Sequence, residues 1–347
     1  MDNKTVFEVF SKFDVNDSPI SAKVCNNGHI NSTFFVKCEK DTYVLQKINT
    51  VVFKRPEQVM SNIFAVTEHF KKKGLRTLEF FRTKTGDTCY WLENDCYRVY
   101  KFVDDACTYN SATPELLEEA AYTFGKFQAD LADFPAQKLY ESIPDFHNTA
   151  KRYQNFEKSV EKDPKGRALE CRDLIERIRA HKDEVSIIVD LLEKGEIPTR
   201  VVHNDTKLNN VLIGNDGKGV CVIDLDTIMP GSLLYDFGDA IRIGGSNVVE
   251  GSLDFENTFV REDLYAAFAK GFLRGIGGSI TEKERYYLPF SAFLITFEQA
   301  IRFLSDYIDG DVYYRIEYER HNYDRAKGQL ILAEDIYSKI DELRELI

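Results

Sequence analysis

Four residues between positions 203 and 226 have the types and the spacing that phosphoryl transfer requires. Asp205 could accept the proton of an attacking hydroxyl group, and Lys207 could offset negative charge on the transferring phosphate. Asn210 and Asp224 would supply oxygen ligands, which Mg²⁺ prefers. A single aspartate in a polar turn is commonly structural, because turns favour Asp and Asn. The four residues together favour a catalytic site that transfers phosphate with magnesium.

Two neighbours of this set have alternative interpretations. His203 is expected to brace the loop by hydrogen bonding rather than to act on a substrate. Alternation along a strand would send Asp224 and Asp226 to the same side, so either carboxylate could bind the metal. Asp226 could also have a purely structural role.

Short hydrophobic strands are predicted to hold this polar loop in place. Strand-like residues flank it at 201–202, 211–213 and 220–223. The first hundred residues are also predicted to form mainly strands, because runs rich in Val, Ile, Phe and Tyr alternate with turn residues. A helix between them begins at Pro56 and stops at Gly74. The predicted N-terminal strands cover residues 21–24, 33–38, 43–48 and 97–103.

After about residue 110 the pattern becomes helical. Thr113 and Pro114 cap one helix, helical periodicity continues through 145–192, and the C-terminal residues 334–347 form a charged amphipathic helix. A doubly wound parallel sheet would alternate strands and helices throughout the chain, and this sequence does not. The predicted class is therefore α+β and bilobal. A small N-lobe with an antiparallel sheet spans 1–104, and a larger, mainly helical C-lobe spans 105–347.

Composition argues against several classes of partner. The 347-residue chain has a formal net charge of -12, whereas a protein that binds nucleic acid needs a basic face. Its seven cysteines are scattered and include no CxxC pair, which argues against a disulfide framework and a structural zinc site. The N-terminal residues do not resemble a signal peptide, and no run of eighteen apolar residues suits a membrane span. We therefore expect a cytoplasmic protein.

The loop resembles that of a known superfamily. The pattern H-x-D-x-K-x-x-N at residues 203–210, followed by a strand and an aspartate, resembles the catalytic loop of the protein-kinase-like fold. Asp224-Leu225-Asp226 replaces the usual DFG and no APE sequence follows, which resembles the aminoglycoside phosphotransferase and choline kinase superfamily. Within it, the chain most resembles the N-acetylhexosamine 1-kinases. The segments that carry this further resemblance are 28–31, 98–102, 203–210, 223–231, 235–239, 302–304 and 306–307.

The resemblance implies ATP and Mg²⁺ as cofactors and a small sugar as acceptor. It implies transfer of the γ-phosphoryl group to the anomeric 1-hydroxyl group of an N-acetylhexosamine. Asp236 would steady the catalytic loop. The implied sugar contacts are His29, Asp205, Asp226, Arg302 and Tyr313. The implied nucleotide contacts are Asn26, Gly28, Asn31, Thr33, Gln46, Lys101, Phe102 and Val103.

Some positions depart from the kinase pattern. Gln46 stands where kinases keep a lysine for the phosphates, and Lys47 would face the other side of the strand. Glu57 and Glu68 are both possible as the glutamate of the first long helix, and neither is compelling. Kinases for choline, ethanolamine, aminoglycosides or other sugars share the same loop. A catalytically silent protein that binds nucleotide or sugar is a further alternative.

Three of the implied sugar contacts have structural alternatives as well. His29 is predicted to lie in a turn beside Asn27 and Asn31 and could be a surface histidine. Arg302 could form a salt bridge with Glu298 or Asp306, each four residues away on the same helix face. Tyr313 and its neighbour Tyr314 could simply be packing residues.

Overall fold

Strands dominate the first hundred residues and helices dominate the rest of the chain, so the structure confirms the predicted α+β class. The computed structural model describes residues 2–25 and 30–347. Its strands are β1 (Pro19–Cys25), β2 (Ser32–Cys38), β3 (Thr42–Ile48), β4 (Phe80–Phe81), β5 (Tyr90–Leu92), β6 (Asp95–Lys101), β7 (Ala106–Cys107), β8 (Arg200–Val202), β9 (Val211–Gly214), β10 (Gly219–Val222) and β11 (Met229–Gly231). Its α-helices are α1 (Asn3–Phe10), α2 (Pro56–Lys72), α3 (Pro114–Asp130), α4 (Thr149–Lys162), α5 (Arg172–Ala180), α6 (Ile187–Glu193), α7 (Leu233–Gly244), α8 (Glu262–Ile276), α9 (Glu282–Asp309), α10 (His321–Ser338) and α11 (Ile340–Glu345).

The chain divides into two compact units that are not continuous in sequence. Unit 1 consists of Met1–Thr108, Asp133–Pro144 and Val211–Pro230, and unit 2 consists of Tyr109–Ala132, Asp145–Asn210 and Gly231–Ile347. Unit 1 thus includes two later segments that were expected in the C-lobe. The division between residues 104 and 105 stays a prediction.

Unit 1 is built on an antiparallel sheet with the strand order β1-β2-β3-β6-β4, in which β5 also pairs with β6. The register places Thr33 of β2 opposite Gln46 of β3, and Gln46 opposite Arg98 of β6. Buried side chains such as Phe10 of α1 and Leu45 of β3 form its hydrophobic core. The sheet therefore carries one row of polar side chains across three neighbouring strands.

Local chemistry sets the ends of the long helix of unit 1. Pro56 occupies the first turn of α2, where its missing N–H group costs nothing. Gly74 follows the helix with φ of 67°, a left-handed conformation that glycine adopts without strain. The prediction of a helix that begins at Pro56 and stops at Gly74 is confirmed.

Unit 2 packs around α9, which begins with a capping box formed by Thr281 and Glu284. Helix α7 packs closely on α9 because residue 238 is glycine. A Cβ atom at Gly238 would collide with the backbone oxygen of Ser291. The predicted cap of α3 is confirmed, since the Thr113 side chain accepts a hydrogen bond from the Leu116 N–H group.

Among the described residues, no helix combines the length and the apolar character that crossing a membrane would need.

Candidate active site

Three of the predicted catalytic residues contact one another in unit 2. The Asn210 amide donates hydrogen bonds to the backbone oxygen of Asp205 at 2.8 Å and to its Oδ2 atom at 3.0 Å. The Lys207 ammonium group lies 2.9 Å from the same Oδ2 atom. The side chains of Asp205 and Lys207 are 25% and 35% exposed, so both can reach a ligand from solvent. The loop therefore presents a carboxylate whose Oδ2 atom contacts both an amide donor and a cation.

A buried carboxylate on α7 holds the backbone just before Asp205. Asp236 accepts hydrogen bonds from the N–H groups of His203, at 3.0 and 3.1 Å to its two oxygens, and of Asn204 at 2.7 Å. The Gln128 amide donates to it at 2.5 Å. Burial raises the pKa of Asp236, although these donors act in the opposite direction. Such contacts are what the predicted steadying role of Asp236 requires.

A second carboxylate, one helical turn later, holds the backbone just after Asp205. The Thr206 N–H group donates to Asp239 Oδ2 at 2.9 Å. Arg242 donates to Asp239 Oδ1 through Nε at 3.2 Å and Nη2 at 3.0 Å, and its Nη1 atom pairs with Glu250. Burial alone would raise the pKa of Asp239, but the Arg242 guanidinium, His147 and the Thr206 N–H group together lower it. Residues three apart share a helix face, so Asp236 and Asp239 of α7 can bind the backbone on both sides of Asp205.

His203 is fully buried beneath this loop. Its ring packs edge-on against Phe124, with centroids 5.6 Å apart, and against Phe127 at 6.1 Å. This position inside unit 2 suits a bracing role better than contact with a substrate.

In unit 1, the polar row across the sheet links predicted nucleotide contacts to an arginine. Gln46 donates to Thr33 Oγ1 at 3.0 Å, and its side-chain oxygen accepts from Arg98 Nε at 2.9 Å and Nη2 at 2.7 Å. Arg98 is buried, and its guanidinium also forms an ion pair with Asp226. Gln46, which was expected at the position of the kinase lysine, therefore binds an arginine from the neighbouring strand.

Asp226 is the anion of this network. Its Oδ1 atom pairs with Arg98, and its Oδ2 atom accepts from the Asn31 amide at 2.7 Å. Burial alone would lower the pKa of Arg98, but the Asp226 carboxylate outweighs it and raises the pKa. Neither candidate glutamate of α2 takes part, since Glu57 accepts from Trp91 and Glu68 pairs with Arg82.

Asp224 and Asp226 lie in different environments, so the expectation that strand alternation places them on the same side is wrong. Strand β10 ends at Val222, Asp224 has a left-handed φ of 57°, and Leu225–Thr227 form a 3-10 turn. As a result Asp224 is exposed while Asp226 is only 3% exposed. Two residues of a turn do not follow the period of two that holds along a strand.

The other predicted nucleotide contacts lie at the end of β6 and before β2. The Lys101 ammonium group pairs with Asp41 at 2.9 Å. Phe102 is partly exposed, and its ring contacts Phe35 edge-on at 5.4 Å. Val103 follows it and is half-buried. The predicted contacts Asn26, Gly28 and His29 lie outside the described residues.

Arg302 and the two tyrosines form a polar and aromatic group in unit 2. The guanidinium of Arg302 lies 5.7 Å from the ring centre of Phe146 and 5.8 Å from that of Tyr314, and it donates to Gln299 at 3.1 Å. Tyr313 is 67% exposed, and its ring contacts Tyr314 edge-on at 4.8 Å. Aromatic rings that pack against an arginine hold the N–H donors of its guanidinium in a fixed direction.

Neither acid considered as an ion-pair partner of Arg302 fills that role. Glu298 binds His147 at 2.9 Å and Thr149 at 2.6 Å. Asp306 accepts hydrogen bonds from backbone N–H groups of residues 312–314. Within the described part of the chain, Arg302 forms no ion pair with either acid.

Arg98, Asp239 and Arg242 are among the residues of these networks that were not assigned a role from the sequence. Arg98 lies in a segment that resembles the family, but its partner Asp226 is 128 positions away. Asp239 and Arg242 could have been suspected from their spacing, because they follow Asp236 by three and six residues on the same helix.

A family model and several solved structures match most of this chain. The model of the phosphotransferase enzyme family matches residues 21–285. A spectinomycin phosphotransferase solved with ADP and spectinomycin is 14% identical, with 99% of each chain covered and a TM-score of 0.61. An aminoglycoside phosphotransferase from Alicyclobacillus acidocaldarius is 15% identical, covering 97% of this chain and 95% of that one, with a TM-score of 0.65. A choline kinase from Cryptosporidium parvum is 13% identical, covering 98% and 96%, with a TM-score of 0.61. These likenesses show that the fold is kinase-like.

Proposed function

Since the chain belongs to the phosphotransferase enzyme family, we propose that it is an ATP-dependent sugar kinase. It would transfer the γ-phosphoryl group of ATP to the anomeric 1-hydroxyl group of an N-acetylhexosamine, GlcNAc or GalNAc, giving the sugar 1-phosphate. The observation that carries phosphoryl transfer is the contact set of Asp205, Lys207 and Asn210, held by α7. The choice of acceptor depends on the sequence resemblance. The predicted cytoplasmic location belongs to the same proposal.

Asp205 is the proposed base. As the sugar oxygen attacks the γ-phosphorus, its proton passes to the Asp205 carboxylate, the new O–P bond forms, and the bond to the ADP oxygen breaks. The Lys207 ammonium group, close to that carboxylate, offsets charge on the phosphoryl oxygens. An anomeric hydroxyl group is more acidic than an ordinary alcohol, so a carboxylate is an adequate base for it.

Asn210 and Asp224 are the proposed ligands of Mg²⁺. Asn210 uses its amide nitrogen to bind Asp205, so its amide oxygen can serve as a ligand. Asp224 is exposed, and a carboxylate with an amide oxygen is a ligand set that suits a hard cation. Over residues 2–25 and 30–347, no group of three or more His, Cys, Asp or Glu side chains is arranged to hold a metal. Two protein ligands suffice where phosphates supply others, and bound Mg²⁺ neutralises charge on those phosphates.

The remaining contacts stay part of the proposal. Asp226 remains a proposed sugar contact, although both of its oxygens already bind groups of unit 1. The exposed phenol of Tyr313 and the guanidinium of Arg302 suit a ligand rich in hydroxyl groups. The proposed sugar contacts are His29, Asp205, Asp226, Arg302 and Tyr313. The proposed nucleotide contacts are Asn26, Gly28, Asn31, Thr33, Gln46, Lys101, Phe102 and Val103.

The substitution Asp205→Asn tests the base. Removing a general base lowers turnover by about 10²–10⁴-fold, while ATP binding should persist. ADP release with N-acetylglucosamine, ATP and Mg²⁺ measures turnover, and calorimetry measures ATP binding. Asp216→Asn is the matched control, because it makes the same chemical change in an exposed hairpin turn. Undiminished phosphorylation by Asp205→Asn would show that Asp205 is not the general base.

A panel of acceptors tests the substrate. N-acetylglucosamine and N-acetylgalactosamine are compared with choline, ethanolamine, an aminoglycoside and other sugars, and NMR identifies the phosphorylated position. Phosphate on the anomeric oxygen supports the proposal. If only another acceptor is phosphorylated, the protein is a kinase but an N-acetylhexosamine is not its acceptor. If no acceptor is phosphorylated, a catalytically silent binding protein is favoured.

A further inference from the structure

The loop that carries Tyr313 and Tyr314 is anchored by one buried carboxylate. Asp306, in the last turn of α9, is 5% exposed. Its Oδ1 atom accepts from the N–H groups of Val312 at 2.9 Å and Tyr313 at 2.8 Å, and its Oδ2 atom accepts from that of Tyr314 at 3.0 Å. Three successive backbone donors thus point at a single side chain.

The chain must turn sharply to make these bonds. Gly310 ends α9 with φ of 101°, and Asp311 follows with φ of 59°, so two successive residues are in left-handed conformations. The Asp311 N–H group also donates to the backbone oxygen of Asp306 at 2.7 Å. Left-handed backbone is unfavourable for a residue with a side chain, so the bonds to Asp306 help to hold a conformation that the chain would otherwise leave.

A second anchor fixes the Asp306 carboxylate itself. The amide of Asn322, which is fully buried on α10, donates at 2.9 Å both to Asp306 Oδ2 and to Asp311 Oδ1. Arg167 pairs with the other oxygen of Asp311 at 2.7 Å. The loop is therefore tied to α9, to α10 and to the segment before α5.

The anchored loop places Tyr314 against Arg302. Residues 299, 302, 303 and 306 recur at helical spacing on one side of α9. Tyr314 contacts three of its side chains: its hydroxyl accepts from the Gln299 amide at 3.2 Å, its ring lies 4.7 Å from that of Phe303, and the Arg302 guanidinium lies 5.8 Å from its ring centre. The position of Tyr314 thus depends on where Asp306 holds residues 312–314.

We infer that Asp306 is a positioning residue of the acceptor site, which holds Tyr313 and Tyr314 in place beside Arg302. This inference rests on the proposed function, in which Arg302 and Tyr313 contact the sugar. Aromatic rings beside a half-buried guanidinium suit a polyhydroxylated ligand, since the rings cover its C–H face and the guanidinium donates to its hydroxyl groups. Asp306 would act through Tyr313 and Tyr314, whose backbone it binds, so its loss should weaken acceptor binding rather than ATP binding.

The test substitutes Asp306 by Asn in the full-length protein. Asn keeps the shape but replaces one acceptor oxygen by an NH₂ group, which would face backbone N–H donors. We expect the KM for the acceptor to rise about tenfold or more, because small displacements in a binding site have effects of this order. The KM for ATP should change by less than about twofold. Asp309→Asn is the matched control, because it makes the same change in the same helix turn, where the carboxylate binds only Ser159 among the side chains of the described residues.

Hydrogen exchange of the amides of residues 312–314 gives a readout independent of any acceptor. Their exchange should be faster in Asp306→Asn and unchanged in Asp309→Asn. Asp306→Glu retains two acceptor oxygens and should give an intermediate acceptor KM, which keeps the test available if the Asn variant folds poorly. Unchanged exchange, or equal increases in the KM for ATP and for the acceptor, would overturn the inference. A wild-type protein that phosphorylates no sugar would instead reject the proposed function, and the exchange result would still decide the role of Asp306 in the loop.

Discussion

Unit 1 and unit 2 each contain a buried aspartate among the predicted site residues, and they satisfy it by different means. In unit 1, Asp226 forms an ion pair with Arg98, and the side chains of both residues are 3% exposed. In unit 2, Asp236 accepts hydrogen bonds from two backbone N–H groups and from the Gln128 amide, all of which are neutral. The pKa shifts reflect this difference. The raised pKa of Arg98 means that Asp226 stabilises the charged form of the guanidinium, whereas the raised pKa of Asp236 means that burial disfavours the charged form of the carboxylate.

The difference shows what each network fixes. A cation can balance a carboxylate from many backbone conformations, so the network of Arg98 fixes side chains across the sheet of unit 1. Backbone N–H groups reach a carboxylate only if the chain turns around it, so Asp236 and Asp239 fix the main chain on either side of Asp205. Loss of the cation should therefore affect mainly stability, whereas loss of an α7 carboxylate should also affect the conformation of the loop around Asp205.

The largest effect is expected for Arg98→Met. The substitution leaves a buried Asp226 without its cation, and breaking a buried pair in this way costs about 3–5 kcal/mol of unfolding free energy. Urea denaturation measures it. Arg82→Met is the control in the same unit, since its pair with Glu68 is about half exposed and should be worth less than about 1 kcal/mol.

The double variant Arg98→Met, Asp226→Leu sharpens the comparison. Removing both charges leaves no buried ion without a partner, so it should be more stable than Arg98→Met alone. If the double variant is the less stable of the two, the cost of Arg98→Met does not come from the uncompensated carboxylate.

The second prediction concerns the two carboxylates of α7, whose pKa values shift in opposite directions. Because the pKa of Asp236 is raised on folding, this residue stabilises the fold fully below pH 3.8, which is the ordinary pKa of an aspartate. That contribution is lost as the pH rises through the pKa of the folded state. The lowered pKa of Asp239 means that its contribution is present above 3.8 and is lost as the pH falls. Each Asn variant should be destabilised by about 1–3 kcal/mol through its lost hydrogen bonds.

The pH dependence of the loss of stability distinguishes Asp236→Asn from Asp239→Asn. As the pH rises, the gap in stability between wild type and Asp239→Asn should widen below about pH 4 and then stay constant, whereas the gap between wild type and Asp236→Asn should narrow above about pH 4. Urea midpoints measured across this range check both slopes. Equal slopes for the two variants would mean that neutral donors and a cation balance these carboxylates alike.

Local signals in the sequence were sufficient for much of the fold. Pro56 and Gly74 mark the ends of α2, and Thr113 caps α3, because each of these effects acts within a few residues. The strands β1 to β3 follow from runs of β-branched and aromatic residues between turns. The contact set of Asp205 could be anticipated for the same reason, since its members lie within six residues.

Other features could not be predicted because they depend on contacts distant in sequence. Arg98 finds Asp226 across 128 positions, and nothing near Arg98 indicates that partner. The different environments of Asp224 and Asp226 arise because β10 ends two residues before Asp224, and the positions of strand ends are poorly encoded locally. The role proposed for Asp306 depends on the path of residues 310–314, in which Asp311 is left-handed.

The smallest effect is expected for Lys47→Met. This variant tests whether stability and ATP binding depend on Arg98 rather than on Lys47. Lys47 faces away from the polar row and pairs with Asp95 at 3.2 Å, with 37% and 46% of the two side chains exposed. An exposed pair of this kind contributes less than about 1 kcal/mol. Turnover and the KM for ATP should therefore change by less than about twofold, in kinetics run beside a urea titration.

Gln46→Ala is the matched comparison for Lys47→Met, since the two residues are neighbours on β3 and face opposite ways. Gln46 binds both Thr33 and Arg98, so its loss leaves the Arg98 guanidinium short of an acceptor and should cost about 1–3 kcal/mol. A larger rise in the KM for ATP with Lys47→Met than with Gln46→Ala, at unchanged stability, would identify Lys47 as the phosphate ligand. The polar row of Thr33, Gln46 and Arg98 would then be a structural feature of the sheet alone.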